Sequence, residues 1–265
     1  MLHAITPPMS TDTPIRSREN PLIKRAAAAL AGREKGVLAL EGERLVEDAL
    51  GAGHRLDLIL VAEDRPDLLR RHAGARPVDT LLLGRISGLD TSPGILALGP
   101  EPASVDWSLL KLDASFLLLV VAGIADPRNL GALARSAEAF RVSGLAICGG
   151  GVSPWNPKAL RGSMGSLLRL PIVRSPDPRT LSSDLRQRGV RQIRAATRGG
   201  TDPDAFLWRG PLALWLSGET GELDLDTKDF ESLTLRIADS VESLNVTVAG
   251  SLLLYCAHKR RHHGG

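Results

Sequence analysis

SFLLLVVAGIADPRNLGALARSAEAF, residues 115–140, carries the fold in one line. Its first part, SFLLLVVAGIA, is a continuous apolar run of strand length, the pattern of a parallel strand covered on both faces. A Pro-containing turn, Asp126-Pro127, then leads into a helix predicted at 129–140, in which Leu130, Leu133, Ala134 and Ala137 fall on one stripe. Buried strand, short turn and amphipathic helix make the repeating unit of an α/β sheet. At the mouth of the helix Asn129 can act as the cap, and Gly131 lets another backbone come close. Arg135 stands about 140° around from Leu130 at ~100° per residue, off the apolar stripe. It is therefore either solvated or aimed at a ligand or a partner subunit.

The alternation continues on both sides. Toward the C-terminus, strands are predicted at GLAICGG, LPIV, RQIRAAT and PLALWLSG, with a helix near PKALRGSMGSLL; after LTLRIA the chain closes with the apolar helix SLNVTVAGSLLLYCAHKRR. This is the pattern of a doubly wound parallel sheet. Toward the N-terminus, NPLIKRAAAALAGR is a helix with Asn20 as cap and Pro21 in its first turn. Strands VLALEG (37–42), LDLILVAE (56–63) and GILALG (94–99) alternate with helices ERLVEDALGAG, PDLLRRHAG and PVDTLLLGRISGL. Residues 100–114 have no clear period and read as a linker, and Pro-rich residues 1–15 as a disordered arm. The expected organisation is thus the arm, a small α/β domain at 16–99, the linker, and a parallel-sheet domain at 115–261.

Composition narrows the chemistry. Across 265 residues, 43% hydrophobic and 24% charged content is ordinary for a globular protein. Only 3% is aromatic, so no broad stacking platform for bases is available. The formal charge is +3 and Arg far outnumbers Lys, which suits an RNA or nucleotide partner or reflects a GC-rich genome. Cys148 and Cys256 form neither a disulfide framework nor a metal site, and the six histidines have no ligand spacing. No apolar stretch reaches transmembrane length and MLHAITPPMSTDTP has no signal-peptide core, so a reduced cytoplasmic compartment is the default expectation. The dinucleotide fingerprint G-x-G-x-x-G, the phosphate loop G-x-x-x-x-G-K-[ST], H-E-x-x-H and G-x-S-x-G are all missing, and CGGGVSP (148–154) fits neither glycine fingerprint. Dehydrogenase and nucleotide-hydrolase chemistry are disfavoured.

In parallel sheets ligands bind where strands turn into helices. Three segments occupy that position, and 126–140 is the first. The second is SPWNPKALRGSMGSLLRLPIV (153–173), where Asn156 and Pro157 start a helix. Ser163, Gly165 and Ser166 interrupt its apolar pattern, to admit a ligand or to pack tightly, while Lys158 and Arg161 add positive charge. The third joins LWLSGETGEL (214–223) to RIADSVESLNVTVAGSLLLY (236–255). Ser217, Gly218 and Glu219 follow a buried strand, and Ser243 and Asn245 sit at the start of the last helix. Leu244, Val248, Leu252 and Tyr255 form that helix's apolar stripe. Gly250, which costs ~1 kcal/mol against Ala in mid-helix, predicts close backbone approach.

In this order the segments resemble the three motifs of the SpoU/TrmH family of RNA ribose 2'-O-methyltransferases, in the SPOUT superfamily. NLGALARSAEAF is similar to the first motif, N-x-G-x-x-x-R. NPKALRGSMGSLLRLPI resembles the second through Ser163, Gly165, Ser166 and Pro171, and RIADSVESLNVTVAGSLLLY resembles the third, built around S-L-N-V. NPLIKRAAAALAGREKGVLALEGERLVEDALGAG is similar to the substrate-binding domain of rRNA-modifying members, a ribosomal-protein-like α/β fold. Pro93-Gly94 stands there in place of the usual Q-G.

The resemblance implies a trefoil knot in the C-terminal domain, a homodimer, and no metal. It implies S-adenosylmethionine bound at Ser217, Gly218, Ile237 and Leu244, with methyl transfer to a ribose 2'-hydroxyl of structured RNA, rRNA ahead of tRNA. Its catalytic set maps onto Asn129, Arg135, Glu219, Ser243 and Asn245. A guanidinium hardly deprotonates, so Arg135 is expected to orient the ribose and stabilise alkoxide charge, with a neighbouring phosphate as proton acceptor. The alternative class is an inactive RNA-binding or ribosome-assembly protein of the same fold, since Ser217 and Glu222 stand where the family carries Gly.

Overall fold

The computed structural model describes residues 13–218, 225 and 230–262, in two compact units divided between Pro102 and Ala103. In the first, α1 (Pro21–Leu30) begins where the Asn20 side chain accepts from the Leu22 amide, with Pro21 in the first turn. Strands β1 (Val37–Glu41), β2 (Leu58–Ala62), β3 (Arg76–Val78) and β4 (Ile95–Pro100) form a sheet in the order β1-β4-β2-β3. The sheet is mixed: β2 and β3 are parallel, whereas β4 runs antiparallel to both of its neighbours. Helices α2 (Glu43–Gly51), α3 (Pro66–Arg71) and α4 (Thr80–Ile86) connect the strands. The helix expected from PVDTLLLGRISGL is split, because Asp79 caps α4 by accepting from the Leu82 amide and leaves Pro77-Val78 to β3. Ile15, the last residue of the expected arm, is buried and bridges Val78. Residues 1–12 lie outside the described residues.

The second unit is built on an all-parallel sheet. Its strands are β5 (Leu117–Ala122), β6 (Gly144–Cys148), β7 (Ile172–Ser175), β8 (Arg191–Ala195), β9 (Leu212–Ser217) and β10 (Phe230–Leu233), ordered β10-β8-β9-β5-β6-β7. Every residue of β5 is buried, as its unbroken apolar run requires. The helices are α5 (Pro127–Ala139), α6 (Pro157–Ser163), α7 (Ser166–Arg169), α8 (Pro178–Gln187) and α9 (Val246–His262). Leu130, Leu133, Ala134 and Ala137 of α5 are fully buried.

Four local expectations change. Asp126, not Asn129, caps α5: its carboxylate accepts from the Arg128 amide at 2.8 Å, with Pro127 in the first turn. The single helix expected around PKALRGSMGSLL is two, broken where Met164 (φ 51°) and Gly165 (φ 86°) are left-handed. Helix α8 was not foreseen; it is polar apart from buried Leu181 and Leu185, too little for an apolar period to register. Trp107, within the segment read as linker, is buried in this unit's core, with the Arg188 guanidinium 4.9 Å from its ring centre. Among the described residues no helix is long and apolar enough to cross a membrane.

Candidate active site

Strands β5, β6 and β7 are laid outward in one direction, and β9, β8 and β10 in the other. Strand order therefore reverses between β5 and β9, and a crevice is expected outside their carboxyl ends. There Ala122 pairs with Ser217, and the Gly218 amide donates to the Ala122 carbonyl at 2.8 Å. A Cβ on Gly218 would lie 2.3 Å from the Gly123 carbonyl oxygen, so this position excludes any side chain.

Beside this contact opens a cavity of about 540 Å³ over the carboxyl ends of β8, β9 and β10. Ser217, Gly218, Ile237, Ser243, Leu244 and Asn245 all line it. Leu216, Leu233, Leu235 and Leu253 add apolar wall, and Thr197 adds a hydroxyl. Nothing in its residue type singles out Thr197; the available signal is its place two residues beyond a parallel strand. Glu219 and Glu222 lie outside the described residues. Size, apolar walls and a few polar groups match a pocket for a nucleoside-sized molecule. Among the described residues no charged side chain lines it.

Helices α5 and α9 are joined beside the cavity. The Asn245 side chain caps α9, its Oδ1 accepting from the Thr247 amide at 2.8 Å and the Val248 amide at 3.4 Å. Its Nδ2 donates to Asn129 Oδ1 at 3.3 Å, and the Thr247 hydroxyl lies 3.2 Å from the same oxygen. Asn129 thus ties two helices together instead of starting one. Further along, the Ser136 and Ser251 hydroxyls are 2.6 Å apart. Gly250 is close-packed against side chains, not backbone as expected: a Cβ there would meet Leu216 Cδ1 at 2.5 Å and Leu133 Cδ2 at 2.7 Å. The stripe of Val248, Leu252 and Tyr255 faces outward, at 47%, 43% and 50% exposure, while Leu253, Leu254 and Ala257 are buried. A helix apolar nearly all round gives periodicity no means of choosing its inner face.

Gly131 faces α6 so closely that a Cβ would lie 2.5 Å from the Ala159 carbonyl oxygen. Ser163 is fully buried and donates to the Leu160 carbonyl at 2.8 Å, so this small residue serves packing between α6 and α7. The Arg135 side chain is exposed and has no hydrogen bond or ion pair with a described residue. Neighbouring Arg128 is engaged by Asp126, whose carboxyl its guanidinium holds below the usual range.

The chain is similar to known proteins. The SpoU rRNA Methylase family matches residues 116–255. The 23S rRNA (guanosine(2553)-2'-O)-methyltransferase RlmP of Bacillus subtilis is 27% identical over 220 residues, 82% of this chain and 86% of that protein. The 23S rRNA (guanosine-2'-O-)-methyltransferase RlmB of Ralstonia nicotianae is 30% identical over 196 residues, 71% of this chain and 79% of the relative. Among solved structures, the SpoU methyltransferase AviRb of Streptomyces viridochromogenes, in complex with the cofactor AdoMet, aligns with a TM-score of 0.80 at 26% identity, covering 91% of this chain and 98% of that one. The matched region runs from the buried strand β5 into the last helix, taking in the switch-point crevice and both helices beside it. The chain belongs to the SpoU rRNA Methylase family.

Proposed function

We infer that this protein transfers a methyl group from S-adenosylmethionine to a ribose 2'-hydroxyl of ribosomal RNA. The observation that carries the reading is the cavity of about 540 Å³ beside the switch point, with no charged side chain among its described lining residues, on a fold shared with the AdoMet-bound AviRb. The names of RlmP and RlmB support 23S rRNA as the substrate class. Ser217 and Gly218 would hold the cofactor by their backbone edge, with Ile237 and Leu244 as apolar walls. When bound it supplies an electrophilic methyl group.

The chain's own residues must then orient the acceptor and manage its proton. Arg135, exposed and unpaired among the described residues, suits a ribose or phosphate oxygen: its fixed guanidinium fork stabilises alkoxide charge without itself taking the proton. Asn129 would position the first-motif segment, Glu219 would organise it, and Ser243 and Asn245 would hold the acceptor. In-line placement of the reacting atoms supplies much of the acceleration.

Residues 16–99 would form the RNA substrate-binding domain, joined through 100–114 to a methyltransferase domain at 115–261. A trefoil knot in that domain is supported by family membership. A homodimer is supported by the outward apolar stripe of α9. The cytoplasm, where bacterial ribosomes are made, is the location this substrate implies.

The test is transfer of labelled methyl from S-adenosylmethionine to unmodified rRNA and tRNA. Label in alkali-resistant dinucleotides of rRNA is the expected result. Label confined to tRNA would redirect the substrate. No transfer to either RNA, with no binding of the cofactor, would overturn the enzyme reading.

A further inference from the structure

We propose that Thr247 is a positioning residue for methyl transfer: with Asn245 it holds the Asn129 amide in the one orientation that presents its Nδ2 donors to an oxygen of the acceptor nucleotide. The inference deepens the functional reading above and rests on it.

The orientation follows from a chain of hydrogen bonds whose direction is fixed at one end. Backbone amides can only donate, so the Thr247 and Val248 amides at the start of α9 fix Asn245 Oδ1 as their acceptor. Asn245 must therefore turn Nδ2, a pure donor, toward Asn129. A donor there requires an acceptor opposite, so Asn129 presents Oδ1; the flipped amide would set NH2 against NH2.

Thr247 completes the clamp. Its hydroxyl lies 3.2 Å from Asn129 Oδ1 and 3.2 Å from the Asn129 carbonyl oxygen, so its single proton is shared between them. Both acceptors belong to one residue of the first turn of α5. The hydroxyl therefore locks that residue's side chain and its backbone together against α9.

What remains of Asn129 is its NH2, which has no partner among the described residues although the residue is only half-exposed. Asn245 lines the cavity, and Asn129 stands behind it by one hydrogen bond. Two aimed donors adjacent to a methyl-donor pocket suit a ribose or phosphate oxygen of the acceptor. Thr247 touches neither cofactor nor substrate; it acts through Asn129.

The experiment measures single-turnover methyl transfer to rRNA, with S-adenosylmethionine affinity by calorimetry, for wild type, Thr247→Val, Thr247→Ser and Asn129→Asp. Thr247→Val keeps the side-chain shape but removes the hydroxyl. It is expected to lower the transfer rate by about three- to tenfold, the loss of one hydrogen bond, with cofactor affinity within about twofold of wild type. Thr247→Ser restores the rate. Asn129→Asp keeps the acceptor facing Asn245 but deletes the donors, and is expected to be slower than Thr247→Val. Wild-type rates in Thr247→Val or Asn129→Asp would overturn the assignment, as would a Thr247→Ser variant as slow as Thr247→Val. If wild type itself binds the cofactor yet methylates no RNA, the functional reading falls and takes this inference with it.

Discussion

Gly218 rests on Gly123 so closely that one added methyl group would stand 2.3 Å from a carbonyl oxygen. The obstacle is backbone at a junction of two buried strands, which cannot turn aside as a flexible side chain could. Gly218→Ala is therefore expected to separate the carboxyl ends of β5 and β9 and distort the cavity edge. Overpacking of this kind costs about 1–3 kcal/mol. Thermal unfolding should shift down, and calorimetry should show at least tenfold weaker S-adenosylmethionine binding. Ser217→Ala, at an exposed neighbouring position, should change neither by a comparable amount; equal effects at both sites would mean the backbone contact is not what shapes the site.

Arg135 lies outside the cavity lining, so its removal should separate chemistry from cofactor binding. Arg135→Ala is expected to reduce transfer by ~100-fold or more, in the range for losing a group that stabilises developing negative charge. Cofactor affinity should stay within about twofold. Arg135→Lys keeps the charge but loses the planar fork, and should recover only part of the rate. A parallel loss of cofactor affinity would assign Arg135 to the pocket instead of the acceptor.

The parallel sheet was legible from the sequence because buried parallel strands read as unbroken apolar runs, and β5 is buried at every residue. The mixed sheet of the first unit was less so: β4 is antiparallel to β1 and β2, and pairing direction leaves no mark on a short apolar run. Helix α8 escaped because two buried leucines do not make a period. At the site, Gly218, Ile237, Ser243 and Leu244 could be picked out as a group only through motif order; nothing in the residue types themselves announces that 217–218 and 237–245 share a cavity wall. Asn129 shows the limit most clearly. It looked like a cap because it precedes an apolar stripe, but Asp126 with Pro127 was the stronger start signal. The partner it does have, Asn245, is 116 residues away along the chain.

Burial pushes the pKa of the Cys148 thiol up to about 12, from 9.0 for a free thiol. The protonated thiol is the favoured form in the fold, whereas the unfolded chain ionises near 9.0. This contribution to stability is therefore fully present below pH 9 and declines as pH rises from there toward the folded value. Alkylation needs the thiolate. Native Cys148 should resist iodoacetamide at pH 8.5, and react at the rate of a free thiol only after unfolding in denaturant; rapid native labelling, mapped by mass spectrometry, would show that strand β6 opens locally.

Val248, Leu252 and Tyr255 recur on one face of α9 at 47%, 43% and 50% exposure, and Phe140 meets Tyr255 edge-on with ring centres 5.9 Å apart. Leaving this apolar stripe to water wastes burial worth about 25 cal/mol per Å² of surface covered, so a second copy of the chain is the occupant proposed for it. Leu252→Asp tests this without touching the cavity, which is lined by Val246, Ala249 and Leu253 on other positions of the helix. Wild type is expected to sediment as a dimer and the variant as a monomer. Because position 252 is already substantially exposed within one chain, an isolated protomer should keep its fold and its far-ultraviolet circular dichroism. A dimer that survives Leu252→Asp and a matching Tyr255→Asp substitution would place the interface elsewhere, and a monomeric wild type would leave the stripe without the proposed partner.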